Sequence, residues 1–252
     1  MAWRLNAIVR SAWLWFLLGL ETVVLVLPYL VIVAVAPNSR VALGIERLWA
    51  WIIIRGSNIR LTASGLEHFE RGRSYVVMAN HRSLYDPPVL HYLLARDHDV
   101  RFIGKKELVK IPIFGWAFAL SRHVVIDRQN RHRAIAALRE AAAKSGEGVS
   151  FMIMPEGTRN SGKELLPFKK GGFHLAIDTG LPILPVAMVG SDELMRKGSW
   201  YILPGSIHVT VLPPIPVDGL DKSHVEILLE RTRSAIDEAY KRETAVPERS
   251  HR

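Results

Sequence analysis

The sequence has no cysteine among its 252 residues. Disulfides, thiolate metal sites and covalent catalysis through a thiol are therefore excluded. The absence suits a reducing compartment such as the cytosol. The chain also lacks internal repeats and low-complexity linkers, and its length fits one large α/β domain better than a string of small modules.

Apolar and basic residues, by contrast, are plentiful. Hydrophobic residues make up 49% of the chain and the mean hydropathy is +0.12, which is high for a freely soluble protein, so part of the surface is expected to face lipid. The formal charge of +9 predicts attraction to nucleic acid, an acidic carrier protein or an anionic membrane. The basic residues form no long run interleaved with aromatics, which disfavours nucleic acid as the partner.

The segment from Ala12 to Ala36 is almost wholly apolar, with tryptophans suited to a membrane interface near its start. Read as one helix, it is long enough to cross a bilayer. A charged Glu21 in mid-span would cost roughly 2.5–3.5 kcal/mol. We therefore predict a membrane-associated helical pair, about Trp3–Leu20 and Thr22–Ala36, that bends near Glu21 and dips into one leaflet. A tilted single span is the alternative.

More basic residues follow this apolar segment than precede it. If the segment spans, the excess predicts an inner-membrane protein whose main part faces the cytoplasm. The residues that follow are Arg40, Arg47, Arg55 and Arg60, and those that precede are Arg4 and Arg10.

Beyond this segment, short apolar or β-branched runs alternate with helical patterns. The alternation predicts an α/β fold with a mostly parallel seven-stranded sheet flanked by helices. The predicted strands are 58–63, 74–79, 100–104, 123–126, 149–154, 183–189 and 206–212, and the helices lie near 86–95, 112–120, 130–145, 170–178 and 222–242. We divide the chain into N-terminal membrane-associated helices (1–55), a main domain (56–242) and a loose polar tail (243–252).

A histidine and an aspartate lie five residues apart where the second predicted strand ends. The run Tyr75–Ala79 leads into Asn80, His81, Arg82, Ser83, Leu84, Tyr85 and Asp86. A neutral imidazole can take a proton from a hydroxyl, and a carboxylate on its other nitrogen would hold the ring and stabilise the imidazolium. The spacing alone is weak, because these residues also suit capping of a helix start.

Three further apolar runs end in polar or proline-rich turns. Phe151–Met154 leads into the turn Pro155–Asn160, whose Arg159 offers a planar fork suited to phosphate and whose glycine frees backbone amides for an anion. Glu156 and Arg159 also suit a structural ion pair. The other two runs are Val124–Ile126, which ends in Asp127 and Arg128, and the stretch Gly180–Val186.

These four blocks, in this order, resemble the hallmark of the lysophospholipid acyltransferase family, most closely its bacterial 1-acylglycerol-3-phosphate branch. The family pattern Asn-His-x4-Asp matches Asn80–Asp86, Phe-Ile-Asp-Arg matches Val125–Arg128, Phe-Pro-Glu-Gly-Thr-Arg-Ser matches Met154–Asn160, and Pro-Ile-x-Pro-Val matches Pro182–Val186. The resemblance covers residues 55 to 215. It departs at Val125, Met154 and Asn160, which bears on substrate preference more than on the reaction.

The resemblance implies a glycerolipid acyltransferase fold and an enzyme that moves a fatty-acyl group from an acyl thioester to the free sn-2 hydroxyl of 1-acylglycerol-3-phosphate, forming phosphatidic acid. His81 is then the general base and Asp86 orients it. The implied substrate-binding residues are Arg128, Glu156, Gly157, Thr158, Arg159 and Lys105. Acyl-CoA or acyl-carrier protein would be the donor, and no metal or other cofactor is expected.

Other interpretations keep part of this picture. The same chemistry suits a lyso-ornithine lipid, glycerol 3-phosphate or another lysophospholipid as acceptor. Ser83 is disfavoured as a nucleophile because no Gly-x-Ser-x-Gly elbow surrounds it. A different class, a non-catalytic basic protein that binds membranes or nucleic acid, fits only the charge and the apolar N-terminus. The expected partners are the lysophospholipid acceptor, the acyl donor and a membrane, with no nucleic acid.

Overall fold

The structure, a computed structural model, describes residues 2–36, 39–95, 98–127, 130–143 and 148–245. The α-helices of this described part are α1 (Ala2–Val35), α2 (Arg40–Gly56), α3 (Asp86–Leu94), α4 (Phe114–Leu120), α5 (Arg131–Ala143), α6 (Gly171–Thr179), α7 (Ser191–Leu194) and α8 (Val225–Ala245). Its strands are β1 (Ile59–Ser64), β2 (Val76–Ala79), β3 (Asp99–Lys105), β4 (Val124–Ile126), β5 (Val149–Ile153), β6 (Ile183–Val189) and β7 (Gly205–Val211).

Within the described residues the strands form one seven-stranded sheet in the order β1-β7-β6-β2-β5-β3-β4. The pairs on either side of β2 are parallel, whereas β6 and β7 are antiparallel. The predicted fold class is confirmed. Because β7 returns in the opposite direction, the segment between β6 and β7 begins and ends at the same edge of the sheet.

Helices cover both faces of the sheet, which explains why its central strands are continuous apolar runs. All four residues of β2 are buried. On one face they pack with side chains from α1, α2 and α3. On the other face, α5, α6 and α8 bury a second apolar cluster. The sheet is therefore rigid where its strand ends carry the polar turns.

The predicted break near Glu21 is wrong, because α1 runs unbroken from Ala2 to Val35 with Pro28 inside it. The neighbouring residue, Thr22, donates to the Leu18 carbonyl and accepts from the Trp49 indole of α2. Glu21 itself is half-buried rather than fully exposed to an apolar medium. A break would also leave backbone groups without partners, which an apolar environment penalises.

The helix α1 is tied to the body along its length. Arg10 binds the carbonyls of Ser57 and Ile202, and further along α1 Tyr29 hydrogen-bonds Glu46 of α2. The opposite face of α1 is exposed and apolar. Its stretch Arg4–Val35 contains an 18-residue window with a mean hydropathy of 2.4, of which 17% is buried. This arrangement supports association with a membrane surface, with α1 lying along the domain.

The chain beyond α8 was predicted to be a loose tail from residue 243. Instead α8 continues through Ala245, and the Thr244 hydroxyl donates to the Tyr240 carbonyl in its last turn. Residues 246–252 lie outside the described residues.

Two histidines, His91 buried and His123 partly buried, lie under α2 at the sheet. His91 of α3 and His123 before β4 both contact the Phe102 ring, and His123 Nδ1 accepts the Phe102 amide at 3.3 Å. His91 Nε2 lies 3.4 Å from Glu46 Oε2 without hydrogen-bond geometry. Burial is the main cause that lowers the pKa of each histidine to about 4. A nearby carboxylate opposes the shift in each case, and nearby basic side chains add to it.

These histidines predict acid sensitivity. Each has a folded pKa of about 4 against an ordinary value of 6.5, so the unfolded chain binds more protons between those values. The free energy of unfolding should therefore be highest above about pH 6.5. As the pH is lowered from there to 4, it should decrease by up to about 1.4 kcal/mol per pH unit for each histidine. Urea unfolding at pH 7, 6 and 5 measures this slope. His91→Gln and His123→Gln should each make the slope shallower, and an unchanged slope in both would contradict this account.

Candidate active site

The polar turns predicted from the sequence meet at one edge of the sheet. The neighbouring strands β2, β5, β3 and β4 are all parallel, so their carboxyl ends lie side by side. Adjacent strands in a sheet are spaced about 4.8 Å apart. His81 follows β2, Glu156 follows β5, Lys105 ends β3 and Asp127 follows β4. In open α/β sheets this edge is the usual place for a ligand site.

His81 and Asp86 face each other across the start of α3. His81 Nδ1 lies 2.8 Å from Asp86 Oδ2, and the imidazole side chain is 18% exposed while the carboxylate is fully buried. The same Oδ2 accepts the backbone amides of Arg82 at 2.6 Å and Ser83 at 2.8 Å. Asp86 therefore pairs with the histidine and also holds the backbone of the segment that leads into α3. The helix-capping interpretation is wrong, because the N-cap of α3 is Tyr85 and both amides bound by Asp86 precede the helix.

This contact assigns the proton of the imidazole. An ionised carboxylate can only accept, so Nδ1 carries the hydrogen and Nε2 keeps its lone pair. Since the ring is partly exposed, Nε2 is the atom open to a hydroxyl from outside. Asp86 Oδ1, in contrast, is buried and has no hydrogen-bond partner among the described residues.

Glu156 joins the turn after β5 to the segment carrying His81. Its Oε1 accepts the His81 backbone amide at 2.8 Å, and its Oε2 accepts the Asn160 side-chain amide at 3.0 Å and the Leu166 amide at 2.9 Å. Only 2% of the residue is exposed. The alternative ion pair with Arg159 is therefore not what holds Glu156, whose oxygens are both taken by amide donors.

The rest of this turn is more open. Gly157 has φ 72°, a left-handed conformation that glycine adopts without strain, and its amide donates to the Met154 carbonyl at 2.9 Å. Thr158 is exposed and Arg159 is half-buried. Within the described part of the chain, no hydrogen bond or ion pair holds the Arg159 side chain. The next residue, Asn160, donates its amide to the His81 carbonyl at 2.7 Å, which keeps the arginine near the histidine.

The remaining predicted cations lie further along the same edge. Lys105 is exposed at the end of β3, whereas its neighbour Lys106 pairs with Asp127 at 2.8 Å. Lys105 stands two strands from β2, about 10 Å by ordinary strand spacing. Arg128 lies outside the described residues.

Sequence reasoning missed two buried residues that brace the site. Asn80 exchanges hydrogen bonds of 2.9 and 2.7 Å with the Met188 backbone, fixing the end of β2 to β6. Arg82 is 2% exposed, and its guanidinium donates to the carbonyls of Gly162 and Lys163 and lies 4.4 Å from the Tyr240 ring. Asn80 could have been found as a polar residue ending an apolar run. Nothing local marks Arg82 as buried.

Ser83, weighed above as a nucleophile, is fully buried and donates its hydroxyl to the Met195 carbonyl at 3.0 Å. That hydroxyl has no path to a substrate in this conformation. Among the described residues, no group of three or more histidine, aspartate or glutamate side chains could hold a metal ion. The chemistry available at this edge is acid–base chemistry beside a cationic turn.

Comparison with known proteins adds a family to this geometry. A family model described as Acyltransferase matches residues 60–189. The chain is 35% identical over 185 residues to the 1-acyl-sn-glycerol-3-phosphate acyltransferase of Cocos nucifera, covering 73% of this chain and 58% of that protein. It is 34% identical over 154 residues to the enzyme of the same name from Haemophilus influenzae, covering 61% of this chain and 62% of that protein. The chain thus spans about three fifths of the length of these curated relatives.

A solved structure matches more of the chain. It is the crystal structure of the 1-acyl-sn-glycerophosphate (LPA) acyltransferase PlsC from Thermotoga maritima, with a TM-score of 0.82 and 26% sequence identity. The match covers 98% of this chain and 99% of that one. It includes the N-terminal helices as well as the sheet.

Proposed function

This chain belongs to the acyltransferase family, and from that premise we propose that it transfers a fatty-acyl group from an acyl thioester to the free sn-2 hydroxyl of 1-acylglycerol-3-phosphate. The product is phosphatidic acid. Relatives from a plant and a bacterium carry the name of that activity, as does the structural neighbour. The observation that carries the proposal is the His81–Asp86 contact beside the turn that bears Arg159.

In the proposed mechanism His81 acts as the general base. Its Nε2 removes the proton from the acceptor hydroxyl as that oxygen attacks the thioester carbonyl, and the Asp86 carboxylate stabilises the imidazolium that forms. The tetrahedral oxyanion then collapses, the carbon–sulfur bond breaks, and the imidazolium returns its proton to the departing thiolate. A thiol ionises near pKa 8.5, so it leaves far more easily than an alcohol would.

Arg159 and Lys105 would bind the acceptor phosphate, with Arg128 as a third cation. Arginine presents two parallel donors to a phosphate, and the Thr158 backbone amide would add a third donor in the turn that Gly157 shapes. Glu156 would not bind the substrate directly, because its buried carboxylate already accepts hydrogen bonds from three amides. We assign it the role of holding the cationic turn at a fixed distance from His81.

The membrane supplies the acceptor in this scheme. With α1 lying along the domain and its apolar face outward, a lysophospholipid would enter from the lipid beside His81. We propose an inner-membrane protein whose catalytic face is in the cytoplasm, supported by the charge of +9 and the absence of cysteine. Phosphatidylglycerol-containing vesicles should recruit the protein, and protease protection in spheroplasts should measure its orientation.

An acyl-transfer assay with the full chain tests the reaction. Purified protein is given labelled acyl-CoA or acyl-carrier protein and, in separate tubes, 1-acylglycerol-3-phosphate, glycerol 3-phosphate, a lyso-ornithine lipid and lysophosphatidylcholine. We expect phosphatidic acid from the first acceptor, identified by mass. A product formed only from another acceptor would replace the proposed substrate, and no product from any acceptor with either donor would overturn the reaction.

Replacing Arg159 with alanine should weaken acceptor binding more than chemistry. A charge-assisted hydrogen bond contributes about 1.5–3 kcal/mol, so the acceptor KM should rise roughly 10- to 100-fold while the donor KM stays constant. Initial rates over a range of both substrates measure the two constants. Lys222→Ala is the matched control, because Lys222 lies beside Ile177 and Asp178, near the start of β6 and so at the opposite edge of the sheet. Equal acceptor KM values in Arg159→Ala and wild type would refute phosphate binding by Arg159.

A further inference from the structure

A loop beside the site exposes bulky apolar side chains. The 195–203 loop, which runs from Met195 to Leu203 between α7 and β7, lies at the same sheet edge as His81 because β6 and β7 are antiparallel. Within it the rings of Trp200 and Tyr201 contact each other at a tilt of 30°, with centres 4.9 Å apart, and the residues are 44% and 36% exposed. The loop is nevertheless anchored to the domain, because the next residue, Ile202, is only 1% exposed.

Hydrogen bonds fasten this loop to the N-terminal half of α1. Arg10 donates to the Ile202 carbonyl at 2.7 Å, and the Ile202 amide donates to the Ser11 hydroxyl at 2.9 Å. One turn further along α1, the Trp15 indole donates to the Trp200 carbonyl at 2.8 Å. The loop therefore keeps a fixed position relative to α1.

The exposed aromatics of the loop lie beside α1, which has an exposed apolar face of its own. Trp13 and Phe16, which flank Trp15, are 58% and 59% exposed and stack with ring centres 5.7 Å apart. Scattered apolar side chains are normal on soluble proteins, but paired exposed aromatics beside an apolar helix mark an interaction surface. Two basic side chains, Arg196 and Lys197, are exposed in the same loop.

We propose that the 195–203 loop is a second membrane-contact element, which rests on an anionic lipid surface beside α1. Trp200 and Tyr201 lie at the level of the headgroups, where amphipathic rings are most stable, and Arg196 and Lys197 contact lipid phosphates. A lipid surface fits better than a protein partner because hydrogen bonds fasten the loop to α1, whose length and composition already suit lipid.

The loop also connects this surface to the site. The Met195 carbonyl accepts the Ser83 hydroxyl at 3.0 Å, within the segment between His81 and Asp86. Lys197 Nζ lies 3.4 Å from the Thr158 hydroxyl in the turn that bears Arg159. If the proposed function holds, the loop sets the height of the site above the bilayer.

The cysteine-free sequence allows a direct test that needs no turnover. Single cysteines are introduced into the full chain by Trp200→Cys, Trp13→Cys and Ile227→Cys, and each is labelled with the environment-sensitive fluorophore NBD. Vesicles of phosphatidylethanolamine and phosphatidylglycerol are added, with or without doxyl-labelled lipid as a quencher. Ile227 is the matched control because it is 64% exposed on α8, which packs on the opposite face of the sheet from α1.

We expect the probes at 200 and 13 to brighten, shift to shorter wavelength and be quenched by doxyl lipid, while the probe at 227 does not change. A silent probe at 200, whether or not the probe at 13 responds, would overturn the proposal. So would a response at 227 equal to that at 200. A probe at 200 that ignores vesicles and responds to acyl-carrier protein would also overturn it, assigning the surface to an acidic protein instead.

The same experiment also tests whether Arg196 and Lys197 contact anionic headgroups. Arg196→Gln and Lys197→Gln, combined in the chain labelled at 200, should weaken partitioning onto phosphatidylglycerol vesicles by about fivefold per lost charge at low salt. Binding to phosphatidylcholine vesicles should not change. An equal loss on both kinds of vesicle would refute the contact with anionic headgroups. None of these readouts depends on acyl transfer, so they separate failure of this proposal from failure of the proposed reaction.

Discussion

Replacing His81 with alanine is expected to lower the rate of acyl transfer by at least about 10³-fold, the upper range for loss of a positioned general base. The acceptor hydroxyl would have to attack with its proton still bound or pass it to water. The acceptor KM should change little, because Arg159 rather than His81 binds the phosphate in this scheme. Single-turnover rates with saturating acceptor measure the chemical step apart from binding.

The fold should survive this substitution. The His81 backbone amide and carbonyl bind Glu156 and Asn160, and neither bond involves the imidazole. A thermal melt near that of the wild type, together with full activity in His208→Ala, would show that the loss belongs to this imidazole. Near-normal turnover in His81→Ala would refute its assignment as the base.

Replacing Asp86 with asparagine should lower the rate by about 10²-fold or more. This substitution removes the negative charge of Asp86 but keeps its hydrogen-bond acceptor. All the hydrogen bonds that Asp86 receives go to Oδ2, and an amide oxygen in the same place can still accept them. The new NH2 group would occupy the Oδ1 position, which is buried without a partner in the described part of the chain. The imidazolium would then form without a neighbouring negative charge.

The comparison with Asp86→Ala separates electrostatics from scaffolding. Alanine leaves the amides of Arg82 and Ser83 buried and unbonded, at about 1–3 kcal/mol each, so this variant should lose stability as well as activity. Urea unfolding and initial rates on the same preparations measure the two effects. If Asp86→Asn kept the wild-type rate, the carboxylate would only hold the backbone of Arg82 and Ser83.

Local patterns in the sequence predicted the strands and the edge where their polar turns meet. The reason is physical: an apolar run such as Val76–Ala79 is buried on both faces, and its first polar residues must emerge at the strand end. His81 and Arg159 approach each other because β2 and β5 are parallel and also neighbours. The sequence predicted parallel strands but not that these two are adjacent.

Contacts between distant segments could not be predicted in the same way. Arg82 reads as a surface residue in sequence, yet Tyr240 and two carbonyls enclose it. The break predicted at Glu21 rested on the cost of an isolated charge in lipid, which ignored the packing of α2 against α1 beside that residue. The roles of Glu156 and of the 195–203 loop depend on the same long-range packing.

The position of β2 in the middle of the strand order has a consequence for regiochemistry. Cationic ends of β5 and β3 lie to one side of His81, and the segment after β6, with its tie to the apolar helix, lies to the other. An amphiphilic acceptor can lie along this edge with its polar end towards β5 and β3 and its hydrocarbon chain towards the segment after β6. In that orientation its middle carbon faces the imidazole. We expect the edge itself to select which alcohol of a glycerol backbone reacts, since a reversed molecule would set hydrocarbon against cations.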